Sequence, residues 1–186
     1  NYKFNTKCWT HTDQAPTQKG LICYQGFISL TDNTHNTLLV YEGSHKLHEQ
    51  YFKSINKEND SKNWQLIEQS FLDTIRENKK ILHIPKGSLV LWDSRTFHQN
   101  IHSDNEERIV QYISMLPKNS SKNTLSQQKK RLKYFNQLRT TSHWTYPIKV
   151  NSLQPRTYGN SDLLIDYSKL TKPNLDKYLN TIKTLI

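Results

Sequence analysis

His11 and Asp13 stand one residue apart near the start of the chain, His98 follows 85 residues after Asp13, and Arg108 lies ten residues further on. Two imidazoles and one carboxylate make the donor set that holds non-haem iron(II) on one face and leaves the remaining coordination positions open for small molecules. A guanidinium downstream of the second His offers a rigid, permanently charged fork, suited to anchoring a carboxylate-bearing cosubstrate. The chemistry these residue types can support is oxygen activation at a metal.

The His-x-Asp triplet alone is weak, because a chain with 8 His and 9 Asp in 186 residues yields roughly 0.4 such triplets by chance. Two occur, His11-Thr12-Asp13 and His102-Ser103-Asp104. Their settings separate them. The first follows the extended run Tyr2–Thr10 and precedes the strand-like run Gly20–Leu30, and the later segment Gly87–His98 reads as a strand leading directly into a His. The second sits in the polar run Ser103-Asp104-Asn105-Glu106-Glu107, with only His143 beyond it and no strand-then-Arg pattern after that. The first triplet is therefore the expected metal motif, with His11, Asp13 and His98 as both ligands and catalytic residues.

Three blocks carry a family resemblance: Trp9-Thr10-His11-Thr12-Asp13, Leu38-Leu39-Val40-Tyr41-Glu42-Gly43-Ser44-His45, and Gly87 to His98. Over Trp9–Pro117 the chain resembles the phytanoyl-CoA dioxygenase-like branch of the iron(II)/2-oxoglutarate oxygenases. Glu42 stands where that family usually has Pro, Asn36-Thr37 replaces an Asn-Gly turn, and Gln99-Asn100 replaces a small-residue pair. None of these departures touches a metal ligand, so they bear on substrate identity rather than reaction class. The resemblance implies iron(II) as cofactor and 2-oxoglutarate as cosubstrate, with oxidative decarboxylation to succinate coupled to hydroxylation of a C–H bond. It implies hydroxylation rather than halogenation because Asp13 is retained where related halogenases lose the carboxylate. It also implies cosubstrate roles for Arg108, Asn100 and Gln25, although Arg108 also reads as a surface residue paired with Glu106 or Glu107. Asn100 shares a strand face with His98 by the two-residue period. Arg95 has two readings, a pair with Asp93 or a grip on substrate, and His45, His48 and His83 read as structural or surface residues.

Strand signals, β-branched and aromatic runs bounded by turn residues, fall at about 3–10, 21–30, 37–41, 81–84, 88–92, 96–101 and 108–115. Asp32–Asn36 reads as the loop joining the second and third of these, and Ile84-Pro85-Lys86-Gly87 fits a type I turn with Pro second. Many short strands predict a mainly β fold with flanking helices, a double-stranded β-helix of the jelly-roll, cupin-like kind. Trp64, Ile67, Phe71 and Ile75 recur at helical spacing and predict a helix over 64–77; Leu125, Leu132, Phe135 and Leu138 predict another over 123–139. A third is expected at 173–186, with Pro173 in its first turn. The organisation expected is an oxygenase core at 1–117 with a helical insertion at about 46–80, then a basic helical extension at 118–186 packing on the core.

Charge divides the chain in the same place. Residues 1–117 carry 13 basic and 13 acidic side chains, whereas 118–186 carry 13 basic against 3 acidic, which is the whole excess of +10. A solvated helix face and a patch for nucleic acid or another anion both fit this pattern. Tyr134, Phe135, His143, Trp144 and Tyr146 read as packing for the extension, or as a platform on which bases stack. Cys8 and Cys23 could pair only once, and with no signal-like segment they read as reduced thiols of an intracellular, cytoplasmic protein. No run of 18 apolar residues is present, so no membrane span is expected. The metal motif comes so early that an upstream strand or helix is expected to be missing from this chain. The partner expected is a small-molecule or peptide substrate. A nucleic-acid oxygenase and a jelly-roll binding module without turnover are the competing readings.

Overall fold

The computed structural model describes residues 8–185. They form two compact units divided between Met115 and Leu116. The first is β-rich, and its strands are β1 (His11–Thr12), β2 (Tyr24–Ser29), β3 (Leu38–Tyr41), β4 (Gln65–Leu66), β5 (Lys79–Ile81), β6 (Leu89–Asp93), β7 (His98–Asn100) and β8 (Val110–Met115). Two short helices, α1 (His48–Ser54) and α2 (Gln69–Thr74), fall between β3 and β5. The strands build two wholly antiparallel sheets, one ordered β4-β1-β7-β3-β5 and the other β6-β2-β8.

The sequence of β3, four apolar residues in a row, shows how the layers stack. Alternate side chains leave opposite faces of a strand. Leu39 and Tyr41 join Tyr51 and Phe52 of α1, Leu72 of α2 and Phe97 in one buried cluster. Leu38 turns the other way and joins Phe27, Ile84 and Trp92, so this second cluster draws on both sheets. A strand buried on both faces has no polar alternation to show. On β2 the alternation is visible: Gln25, Phe27 and Ser29 are buried, while Tyr24 and Ile28 are exposed. Gly26 is fixed by close approach, because a Cβ there would collide with the Val90 carbonyl oxygen of β6.

The expected helix over 64–77 forms only in its second half. The backbone at its start is taken by β1: Ile67 N–H donates to Thr10 O at 2.9 Å, Trp64 N–H to Asp13 O at 3.3 Å, and Gln65–Leu66 pair with Thr12 and His11. Trp64 has a left-handed φ of 63°, a conformation that costs a residue with a Cβ roughly 1–3 kcal/mol. The turn before β6 also differs from expectation. Ser88 N–H bonds to Pro85 O at 3.1 Å, so Pro85 is first in the turn, and Gly87 takes the positive φ of 83° at its third position that a type II turn requires. The strand expected at 3–10 lies mostly outside the described residues.

In the second unit, α3 (Leu125–Asn136) is capped by Thr124, whose hydroxyl accepts from Gln127 N–H, within the helix expected there. At the C-terminal end a 3-10 turn at Asp176–Tyr178 leads into α4 (Leu179–Leu185). Pro173 lies ahead of both rather than in a first helical turn. Every buried apolar side chain among the described residues lies between Ala15 and Phe97, so the second unit has no fully buried apolar core of its own. Among the described residues no helix is long and apolar enough to cross a membrane. Cys8 and Cys23 are not joined in a disulfide.

Candidate metal centre

β1 and β7 run side by side with His11 directly opposite His98. Directly opposed residues project from the same face of a sheet, so this register sends both imidazoles the same way, with ring centroids 4.4 Å apart. Asp13, just past the end of β1, completes the group. His11 Nε2 lies 3.7 Å from Asp13 Oδ1, and His98 Nε2 lies 3.7 Å from Asp13 Oδ2. All three side chains are buried, and one ligand atom from each falls within 4.8 Å of the others, a spacing that lets them hold one metal ion.

The surroundings fix the donors. His11 Nδ1 faces Trp9 O at 3.2 Å and His98 Nδ1 faces Thr96 O at 2.9 Å, each carbonyl two residues back on the same segment. A proton on Nδ1, donated to a carbonyl, leaves Nε2 with its lone pair toward the cluster, which is how metal-binding imidazoles are commonly held. Gln25 reaches across from β2 and donates Nε2–H to Asp13 Oδ2 at 2.9 Å. Trp92 of β6 packs against the His98 ring at 5.2 Å. A cavity of about 430 Å³ lies beyond Trp92, lined by Leu38, Val40, Lys80, Leu82 and Val90 among others, and none of the three His/Asp residues lines it.

More distant bonds hold the strands that carry the ligands. Ser94 at the end of β6 accepts from Thr12 Oγ1 and Gln14 N–H through its carbonyl, and its hydroxyl donates to Gln14 Oε1 at 2.7 Å. Ser44 is wholly buried and accepts from Phe97 N–H at 2.8 Å, immediately before His98. Gly43, with φ of 74°, sets the turn that delivers Ser44, a conformation open to Gly. The Gly43-Ser44 pair thus supports the metal-facing strand. The sequence offered Gly-Ser-His as a block without showing this role.

Of the three residues expected to meet a cosubstrate, Asn100 and Arg108 gather at one place, whereas Gln25 is the residue bonded to Asp13. Asn100 sits two residues along β7 from His98, about 6–7 Å at the usual rise of a strand. Its Nδ2 donates to Tyr112 Oη at 3.2 Å, and both terminal nitrogens of Arg108 lie 3.4 Å from the same oxygen. The Arg108 guanidinium rests on the Phe27 ring at 5.1 Å. It makes no ion pair with an acid among the described residues. Of the two acids that precede it in sequence, Glu106 and Glu107, Glu106 is engaged elsewhere, accepting backbone N–H bonds from Thr34, His35 and Asn36. Tyr112, the hub of this group, was not singled out from sequence, where a Tyr in a strand reads as packing.

Arg95 has an acid partner. Its Nε and Nη2 meet Asp93 at 3.0 and 2.6 Å. Burial pushes the Asp93 carboxyl up, but the hydrogen bonds and charge of Arg95 outweigh this and hold it below its ordinary value. The second triplet forms a contact, His102 Nε2 to Asp104 Oδ1 at 2.8 Å, but an exposed one, with Asp104 94% open to solvent. His48 is wholly buried, with Nε2 3.1 Å from Gln14 O and its ring edge-on to Phe52. Burial lowers its pKa, so it sits as a neutral support below the metal segment.

Against known proteins, the chain is 33% identical over 123 residues to "Ava biosynthesis cluster protein O" of Aspergillus versicolor, an alignment covering 59% of this chain and 40% of that protein. The chain thus spans less than half the length of this curated relative. No family model and no solved structure matches it.

Proposed function

We propose that this chain carries the core of an iron(II)/2-oxoglutarate-dependent dioxygenase that hydroxylates a small molecule, on a double-stranded β-helix of the jelly-roll type. The observation that carries the reading is the pairing of His11 with His98 beside Asp13, with an acid-free Arg108 on the same unit. The donor set fits iron(II): two neutral imidazoles and one carboxylate, all buried, each oriented by a hydrogen bond of its own. His11 and His98 would hold the ion through Nε2 and Asp13 through its carboxylate. When bound, iron(II) and 2-oxoglutarate would supply oxidative decarboxylation coupled to C–H hydroxylation.

The chain's own residues then have separate tasks. Gln25 keeps the Asp13 carboxylate turned toward the imidazoles. Arg108, with Tyr112 and Asn100, would receive the distal carboxylate of the cosubstrate. Phe27 and Trp92 exclude water between the two ends. The fungal relative's name, which places it in a biosynthesis cluster, favours a small molecule over a peptide.

The test is succinate formation by the purified chain given iron(II), 2-oxoglutarate and oxygen, alongside direct binding of manganese(II) and 2-oxoglutarate. Wild-type protein should bind both ligands and release succinate, and His11→Ala and Asp13→Ala should abolish turnover while remaining folded. Binding of both ligands without succinate, even across a metabolite screen, would favour a binding module. Turnover stimulated by oligonucleotides with a steep salt dependence would favour a nucleic-acid substrate. A protein that binds no divalent metal would end the proposal.

A further inference from the structure

Two indoles flank His11. Trp9, two residues before it, stacks on its ring at 5.2 Å and 17°, and Trp64 meets the same ring at 5.2 Å and 34°. Leu66 is the direct cross-strand partner of His11 on β4 and so lies on the same face of the sheet. Trp64 and Leu66 are 43% and 52% exposed, whereas the three metal-site residues beside them are almost wholly buried. An apolar surface therefore opens to solvent at the edge of the metal centre.

The backbone makes this placement unusual. Trp64 takes a left-handed φ, which a bulky side chain adopts only where its surroundings enforce it. Those surroundings are the C-terminal end of the metal segment: Trp64 N–H is tied to Asp13 O, and Asn63 Oδ1 accepts from Ala15 N–H at 3.2 Å. Core packing does not require the conformation, since the indole remains substantially exposed. The cavity beyond Trp92 is less suited to the reacting part of a substrate, because no metal ligand lines it.

We propose that Trp64, with Leu66, forms a shelf at the mouth of the metal centre on which a planar aromatic ring of the substrate lies. The shelf offers an indole π-face and a branched aliphatic side chain, so it selects a flat, uncharged ring over a saturated one of similar size. This rests on the reading of His11, Asp13 and His98 as a metal site, and it names the substrate class that site would serve.

The probes are indole and, as a saturated control, cyclohexanol. Proton relaxation of each is measured with manganese(II)-loaded protein, whose metal binding is read separately from water relaxation. Wild-type protein should relax indole protons strongly and cyclohexanol protons little. Trp64→Ala should weaken indole binding roughly three- to tenfold, the usual scale of an aromatic contact, and Trp64→Phe should restore most of it. Manganese affinity should be the same in all three proteins. Trp64→Gly, which relieves the left-handed strain, should be at least as thermally stable as Trp64→Ala and should lose indole binding equally. In metal-free protein, indole should still shift the Trp64 ring N–H resonance. Equal relaxation of both probes, an unaffected Ala variant, or no resonance shift would overturn the shelf. A parallel loss of manganese affinity in Trp64→Ala would overturn it too, leaving Trp64 as a support for the His11 ring. Failure of wild-type protein to bind manganese would count against the metal site instead, with the resonance shift still deciding the shelf.

Discussion

Replacing Arg108 separates a 2-oxoglutarate user from a protein that merely holds a metal. Among the described residues the guanidinium lies over Phe27 and bonds only to Tyr112 Oη, at a long 3.4 Å from each terminal nitrogen. Little of its hydrogen-bonding capacity is committed within the chain. The fold should therefore lose only the ring contact on substitution, about 0.5–1 kcal/mol. Cosubstrate binding should lose far more, because a hydrogen bond to a charged group is worth about 1.5–3 kcal/mol, which is roughly ten- to a hundredfold in affinity. Arg108→Ala should raise the 2-oxoglutarate dissociation constant by that factor, measured by calorimetry on manganese-loaded protein, with manganese affinity unchanged. Arg108→Lys should recover part of the loss, since charge survives without the fork. Tyr112→Phe should cost less than Arg108→Ala, about 0.5–1.5 kcal/mol for one neutral hydrogen bond. Unchanged cosubstrate affinity in both Arg108 variants would refute the assignment. Arg95 is then a poor second anchor, because Asp93 already occupies its fork.

Other substitutions test the supports. Ser44→Ala leaves the buried Phe97 N–H without its acceptor and should destabilise the protein by about 1–3 kcal/mol, read from urea unfolding; a neutral result would mean that water replaces the hydroxyl. His48 has a folded pKa below its unfolded value, so the unfolded chain takes up the proton first. Its contribution to stability is complete above about pH 6.5 and is lost as pH falls from there toward the depressed folded value. In metal-free protein, the unfolding midpoint of His48→Gln should therefore fall less on acidification than that of wild type, and parallel curves would contradict the burial argument. Neutralising Lys129, Lys130, Arg131 and Lys133 of α3 together should leave succinate formation nearly unchanged if they are a solvated face; a loss of apparent affinity together with its salt dependence would instead indicate recruitment of an anionic substrate.

Much of the β-rich unit was legible because its strands are bounded by turn residues. The runs at 21–30, 37–41, 96–101 and 108–115 contain β2, β3, β7 and β8, and the run at 88–92 covers β6 up to its last residue, Asp93. The metal cluster was legible because the strand leading into His98 has a recognisable pattern. β4 was hidden, since Trp64, Ile67, Phe71 and Ile75 keep a helical period through residues whose first backbone groups pair with β1. Local periodicity cannot report a partner fifty positions away. The same limit concealed Tyr112, Ser44 and the contact between Gln25 and Asp13, where a side chain matters for what lies across from it rather than for its neighbours in sequence. Glu106 shows the reverse case. From sequence it was a candidate partner for Arg108, but three backbone N–H groups of the Asp32–Asn36 loop hold it.

The register that sets His11 against His98 also has a consequence in time. β1 is two residues long and gains its order from neighbours distant in sequence; Thr10 and Gln99, bonded beside the cluster, are 89 positions apart. Contacts of such separation close a long loop before they return any stabilisation, and they form late in folding. During synthesis the emerging chain presents a His and an Asp long before the second His exists, which is a two-donor site open to whichever divalent ion is abundant. The complete three-donor set arises only when β7 docks. A metal ion held by all three residues would therefore enter a nearly finished fold.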